Sequence, residues 1–278
     1  GLGNPGVFIA PGERMSVLLH LSDTHFGTEQ PAVVEAVRAL ARAQQPEVVV
    51  LTGDITQRAR STQFAAASAF VHSLGVPVLA VPGNHDIPLW NVWARMARPY
   101  AGYCAAFGTQ LEPVYSSPHL LVLCVNTTRA HRHRHGELST EQIERVVAQL
   151  QRASPRQLRV VALHQPIDTP YVREQLHRVR GHASAQRAWG AAGADVVLGG
   201  HIHLPYVMAL GGLGRPLWAV QAGTAVSRRV RAGVPNSVNL LRWGDVAPAG
   251  LCVVEQWDYA AQRQAFVCQH AREIRPAR

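Results

Sequence analysis

The sequence predicts an α/β fold, and three observations carry that prediction. Apolar runs of strand length alternate with segments whose apolar residues recur at helical spacing from Met15 to Leu204. Beyond Leu204 the helical spacing stops, and strand-like runs follow one another, separated by Gly, Pro, Asn or Asp. Of 278 residues, 47% are apolar and 16% charged, which supports a substantial core, and no apolar run is long enough for a membrane helix.

The elements follow in order. Ser16–Leu21, Glu47–Thr52 and Val76–Pro82 read as strands. Pro31 can start a helix that puts Val33, Val37 and Leu40 on one face. Ser61 can cap a second helix, with Phe64, Ala67, Ser68, Val71 and Leu74 inward and Gly75 past its end. His119–Asn126 and Leu158–His164 are further strands. The helix between them opens with Ser139 and Gln142 at capping-box spacing and carries Ile143, Val146, Val147 and Leu150 inward. Ser184–Gly193 is a short helix before the strand Ala194–Leu198. The last third supplies strands at Tyr206–Leu210, Leu217–Gln221, Ser237–Trp243, Cys252–Tyr259 and Gln264–Cys268. No repeat or linker divides the chain, so residues 15–278 are expected to form one domain, preceded by a Gly- and Pro-rich extension or remnant at 1–14.

The net charge is +9, and all 27 basic residues are arginine. Without lysine there is no Walker-type phosphate loop and no Schiff-base chemistry. Codon usage in a GC-rich genome accounts for the arginines, so charge assigns no partner, although a basic chain attracts phosphates, nucleotides and nucleic acids. Cys104, Cys124, Cys252 and Cys268 form no CxxC pair. Cys124, Cys252 and Cys268 lie in apolar runs and read as buried free thiols. With no signal-like N-terminal pattern, a reducing, cytoplasmic setting is expected.

Chemistry-bearing residues recur at the downstream ends of the strand-like runs: Asp23 and His25 in SDTH, Asp54 in TGD, Asn84 and His85 in PGNHD, His164 in LHQP, and His201 and His203 in GGHIH. In an α/β sheet these strand ends share one edge, so residues distant in sequence converge there. Gly53, Gly83, Gly199 and Gly200 would allow the tight turns that aim them. Two carboxylates, an amide oxygen and several imidazoles suit Mn²⁺, iron or Zn²⁺. The donors outnumber the needs of one tetrahedral ion, which implies two. A carboxylate bridging ions about 3.5–4 Å apart would hold a hydroxide for in-line attack on phosphorus.

DxH, GD, GNH, a lone His and GHxH, in this order and each after a strand-like run, resemble the calcineurin-like metallophosphoesterase superfamily. The resemblance spans Met15 to about Leu204 and implies a four-layer α/β/β/α sandwich of two mixed sheets, with the β-rich remainder fitting the second sheet. It implies two divalent transition metal ions (Mn²⁺, Fe²⁺/Fe³⁺ or Zn²⁺), one held by Asp23, His25, Asp54 and His203, the other by Asp54, Asn84, His164 and His201. His85 would bind phosphoryl oxygens or protonate the leaving group, and Asp86 would orient His85, unless it simply caps the next helix. Many relatives have two histidines where this chain has His164-Gln165, so the ligand there is assigned to His164. His20, on the first strand, reads as a hydrogen-bonded core residue.

Two arginine-rich segments remain. Arg129–His135 follows one strand, and Arg228, Arg229 and Arg231 follow another. Arg129, His131 and Arg228 are taken as candidate substrate contacts, although a solvated basic loop explains both segments as well. GNHD, not the GNRD of relatives that cleave lipid-A precursors, and the modest length are most similar to the class III cyclic-nucleotide and glycerophosphodiester phosphodiesterases. The expected activity is hydrolysis of small phosphodiesters, with 3′,5′-cyclic nucleotides leading. A phosphomonoesterase acting on nucleotides or phosphoproteins is the alternative. A nuclease is the less favoured reading, no membrane partner is expected, and the resemblance suggests a homodimer.

Overall fold

The computed structural model describes residues 15–89, 91–132, 134–244 and 250–277. The proposed extension at 1–14 lies outside them. Strands β1 (Ser16–Leu21), β2 (Val48–Thr52) and β3 (Val78–Val81) alternate with helices α1 (Pro31–Gln44) and α2 (Ser61–Ser73). Two short helices, α3 (Val92–Ala97) and α4 (Ala101–Phe107), precede β4 (Val114–Ser116) and β5 (Leu120–Cys124). Then come α5 (Thr140–Leu150), β6 (Leu158–Ala162), α6 (His182–Ala192), β7 (Val196–Gly199), β8 (Tyr206–Ala209) and β9 (Trp218–Gln221). The chain ends with β10 (Ser237–Trp243), β11 (Cys252–Ala260) and β12 (Ala265–Ile274).

The strands form two six-stranded mixed sheets, ordered β12-β11-β10-β1-β2-β3 and β4-β5-β6-β7-β9-β8. Leu18, Val48, Val50 and Leu79 of the first sheet share one core with Val122, Val160, Val196 and Val220 of the second. The alternate residues Leu19, Leu21, Val49 and Leu51 face the other way, in a cluster with Val33 and Val37 of α1 and Phe64 and Phe70 of α2. Residues of α5 and α6, Trp189 among them, cover the outer face of the second sheet. Four layers result. Burial on both faces explains why β1 and β2 read as continuous apolar runs with no alternation.

Local signals account for the helix starts. Pro31 is the first residue of α1, where its missing N–H costs nothing. The Ser139 side chain accepts from Gln142 N, and the Gln142 side chain returns to Ser139 N, closing the capping box of α5. Ser61, expected as a cap, is instead the first residue of α2, and Arg60 occupies the cap position without a side-chain bond. The inner face of α2 uses Phe70, while Val71 is only partly buried.

Two other expectations are corrected, and three elements were not expected. The β-rich remainder does not build the second sheet alone: β8 and β9 complete it, whereas β10–β12 extend the first sheet antiparallel to β1. Cys124 and Cys252 are buried, but Cys268 is exposed, because β12 is the outer edge strand and shows its fourth residue to solvent. Helices α3 and α4 and strand β4 have no counterpart in the sequence reading. At six, seven and three residues they are too short to establish a period.

Candidate metal centre

The loops after β1 and β2 run side by side beyond their strands. Asp23 N donates to Gly53 O at 3.0 Å and His25 N to Asp54 O at 2.9 Å, so two of the motifs are locked together by main chain. Two glycines matter for close approach. A Cβ at Gly83 would lie 2.1 Å from Asp54 N, and one at Gly200 would lie 1.8 Å from Ser22 Oγ. Both have ordinary φ values, so their role is to let neighbouring loops touch, in place of the expected tight turn. Asp23, His25, Asp54, His201 and His203 all have φ between 41° and 73°, a left-handed conformation that side chains resist.

These loops bring all seven expected ligands to one place. On one side, Asp23 Oδ1 lies 3.1 Å from His203 Nε2 and 3.7 Å from His25 Nε2, and the two imidazole nitrogens are 3.1 Å apart. On the other, His164 Nε2 lies 3.3 Å from Asp54 Oδ1, 3.3 Å from Asn84 Oδ1 and 3.2 Å from His201 Nδ1. Asp54 sits between them, its Oδ2 3.8 Å from His25 Nε2. Three sets of donor atoms are close enough to hold an ion: Asp23, His25 and His203; Asp54, His164 and His201; and His25, Asp54 and His85.

The chemistry of the donors fits divalent cations. Asp23 Oδ1 is buried and has no aligned hydrogen-bond donor among the described residues, while Oδ2 is held by Ser22 Oγ and His201 N. His164 Nδ1–H donates to Thr52 O at 2.7 Å and His203 Nδ1–H to Arg229 O at 2.6 Å, which turns both Nε2 lone pairs inward. Burial, the largest influence, pushes His25 and His201 down to about 3, so both are neutral donors. Burial opposes ionisation of Asp54, but His164 and His85 beside it hold the carboxyl well below its ordinary range. Burial also opposes protonation of His164, yet Asp54 and Asp23 raise it to about 9, so a cation must displace a proton there.

His85 faces this centre with Nε2 4.0 Å from Asp54 Oδ2. The expected support by Asp86 is not what the structure shows. The His85 ring donates Nδ1–H to Gln57 O at 2.9 Å, whereas the Asp86 carboxylate accepts from the amides of Gly83, Ile55 and Thr56 and from Thr56 Oγ1. Asp86 thus fastens the β2 and β3 loops to each other. It does not cap the next helix either, since α3 is capped by Asn91. His20 is buried between Thr52 Oγ1 and Asn239 Nδ2. Gln165 is buried too, and its side-chain oxygen accepts from Thr127 Oγ1.

The centre opens into a cleft of about 630 Å³. None of the three expected substrate contacts is among its lining residues. Arg129 is turned onto the carbonyls of Asn126 and Thr128 and onto Gln142 Oε1, so its charge serves the loop itself. His131 and Arg228 are exposed elsewhere on the surface. Instead the cleft takes Arg134 from the first segment and Arg229 and Arg231 from the second, with Arg58, His177 and Gln57. Nothing in the sequence singles out these positions: the arginine runs mark the loops but not which member faces inward, and Gln57 holds His85 with its carbonyl and Arg229 with its side-chain oxygen.

The calcineurin-like phosphoesterase family matches residues 16–205. A probable cyclic nucleotide phosphodiesterase from Rhodococcus erythropolis is 25% identical over 213 residues, 70% of this chain and 67% of that protein. A glycerophosphodiester phosphodiesterase from Enterobacter lignolyticus is 33% identical over 81 residues, 25% of this chain and 29% of its own length. In structure, a purple acid phosphatase from yellow lupin superposes with a TM-score of 0.68 at 12% identity, covering 95% of this chain and about half, 54%, of that one. The fold, the ordered motifs and the matched span agree: the chain belongs to the calcineurin-like phosphoesterase family.

Proposed function

We propose that the protein hydrolyses small phosphodiesters with the help of two divalent metal ions, and that 3′,5′-cyclic nucleotides are the leading substrates. The observation that carries this reading is Asp54 placed between two donor sets, with His85 opposite and a cleft of about 630 Å³ in front, a size suited to a small molecule. The relatives named as cyclic nucleotide and glycerophosphodiester phosphodiesterases support the diester class. One ion would be held by Asp23, His25, Asp54 and His203, the other by Asp54, Asn84, His164 and His201. When bound, the pair lowers the pKa of water and neutralises charge at phosphorus.

The chain's own groups do the rest. Gln57 O holds the His85 ring so that Nε2 points at the cleft. Bare, that nitrogen accepts from Arg229 Nη1, 3.3 Å away; protonated, it can donate to a phosphoryl or leaving oxygen. Four unpaired cysteines fit a reducing, cytoplasmic setting. A phosphomonoesterase is the second reading, and Arg229 favours it, because a guanidinium beside His85 suits the dianion of a monoester.

The test is the ratio of kcat/KM for bis-p-nitrophenyl phosphate to that for p-nitrophenyl phosphate with Mn²⁺-loaded protein. A ratio well above one supports the phosphodiesterase. A ratio well below one keeps the metal centre and moves the substrate class to monoesters.

A further inference from the structure

The cleft carries more positive charge than a simple diester can balance. Arg58, Arg134, Arg229 and Arg231 line it, and Asp54 is the one carboxylate among the described lining residues. Only Arg231 has an acidic partner, Glu174, at 3.2 Å; Arg58, Arg134 and Arg229 have no ion pair among the described residues. Arg229 belongs to the reacting centre, with Nη1 3.3 Å from His25 Nδ1 and 3.1 Å from Gln57 Oε1.

Arg134 and Arg231 lie on the other flank, beside His177. Arg134, Arg231 and His177 line the same cleft, and Glu174 stands beside them, 3.8 Å from His177 Nε2 and 3.2 Å from Arg231 Nη2. Arg231 is fixed there: its Nε donates to Ile202 O at 3.0 Å, inside the GHIH turn. His177 is fixed as well, with Nδ1 3.2 Å from His201 Nε2. Arg231 and His177 are thus held beside the candidate metal centre, the exposed Arg134 lines the same flank, and Glu174 is the one acidic group paired with this flank's arginines among the described residues.

We infer that Arg134 and Arg231 form a subsite for a second phosphate group carried by the same small substrate, beyond the phosphoester that is cleaved. The inference rests on the phosphoesterase reading above and sharpens its substrate class: a phosphodiester whose alcohol part bears a phosphate, such as a nucleoside bisphosphate ester.

A matched pair tests it: thymidine 5′-(4-nitrophenyl phosphate) and the same ester with a 3′-phosphate, which share the scissile bond and leaving group. With Mn²⁺-loaded protein, KM should be about tenfold lower for the 3′-phosphorylated ester, the scale of one charge-assisted contact. The KM ratio should fall towards one in Arg134→Ala and, in the unaltered protein, as salt rises from low to physiological ionic strength. Equal KM values in the unaltered protein, or a ratio that survives Arg134→Ala, would overturn the subsite. A short single-stranded oligonucleotide bound more tightly than the 3′-phosphorylated ester would overturn it in favour of a nucleic-acid groove. If neither ester is turned over, the phosphodiesterase reading fails for nucleoside esters, but calorimetry still decides the subsite. Thymidine 3′,5′-bisphosphate should then bind about tenfold more tightly than thymidine 5′-monophosphate, and equal affinities would overturn it.

Discussion

The parallel strands and the C-terminal antiparallel meander are built from similar sequence but contribute differently. Each of β1, β2, β3, β6 and β7 ends close to a residue of the candidate metal centre, because parallel strands deliver all their carboxyl ends to one edge. β10, β11 and β12 alternate in direction and supply none of the expected site residues. Their part is structural: Leu241, Trp243 and Val254 lie in the core between the sheets. β9 shows that direction, not position in the chain, decides. It lies in the same C-terminal third, but it runs parallel to β7. The loop it feeds donates Thr224 Oγ1 to Asp23 O and places Arg229 in the cleft.

This contrast can be broken by exchanging damage between the two regions. The largest effect should come from Asp54→Ala, which removes the carboxylate shared by both donor sets. Turnover is expected to fall by about three orders of magnitude or more, with loss of bound metal read by elemental analysis. His85→Ala should lower kcat about 100-fold while metal content stays unchanged. Metal loss in that variant would make His85 a ligand, as its grouping with His25 and Asp54 permits. In the meander, Val254→Ala should cost about 2 kcal/mol in denaturant unfolding and leave kcat unaltered. A change in kcat there would erase the division of labour.

The smallest effect sharpens the boundary between the regions, where His20 of β1 meets Asn239 of β10. Burial pushes His20 down to about 3, with Asp23 opposing weakly, so the folded state holds it neutral. Its contribution to stability is complete above the ordinary histidine pKa and is lost as pH falls from about 6.5 towards 3. By pH 5.5 the loss should be about 1.4 kcal/mol, and His20→Gln should flatten that part of the profile.

The legible part of this molecule was the part governed by short-range rules. Pro31 and the Ser139–Gln142 box set helix starts from local geometry, and the motifs at strand ends followed from chain direction. Which sheet each C-terminal strand would join was not legible, since β8 to β12 all present the same apolar, turn-bounded runs and pairing is a long-range choice. The support of His85 was hidden for another reason: it comes from the Gln57 carbonyl, a group every residue carries. Asp86 looked like a side chain for a side chain and turned out to hold three amides. Among the arginines, Arg229 differs from Arg228 only in the direction its loop gives it.

Five of the seven expected ligands share left-handed backbone, and this sets evolution and engineering against each other. A non-glycine residue in that conformation costs about 1 kcal/mol or more, recovered from packing elsewhere in the fold. His203→Gly would release such a strain but would also leave the buried Asp23 Oδ1 and Arg229 O without the ring that faces them, so the relief of strain and the loss of contacts oppose each other. The strain at these five positions is therefore held in place by the side chains it presents, and stability and geometry cannot be tuned separately there.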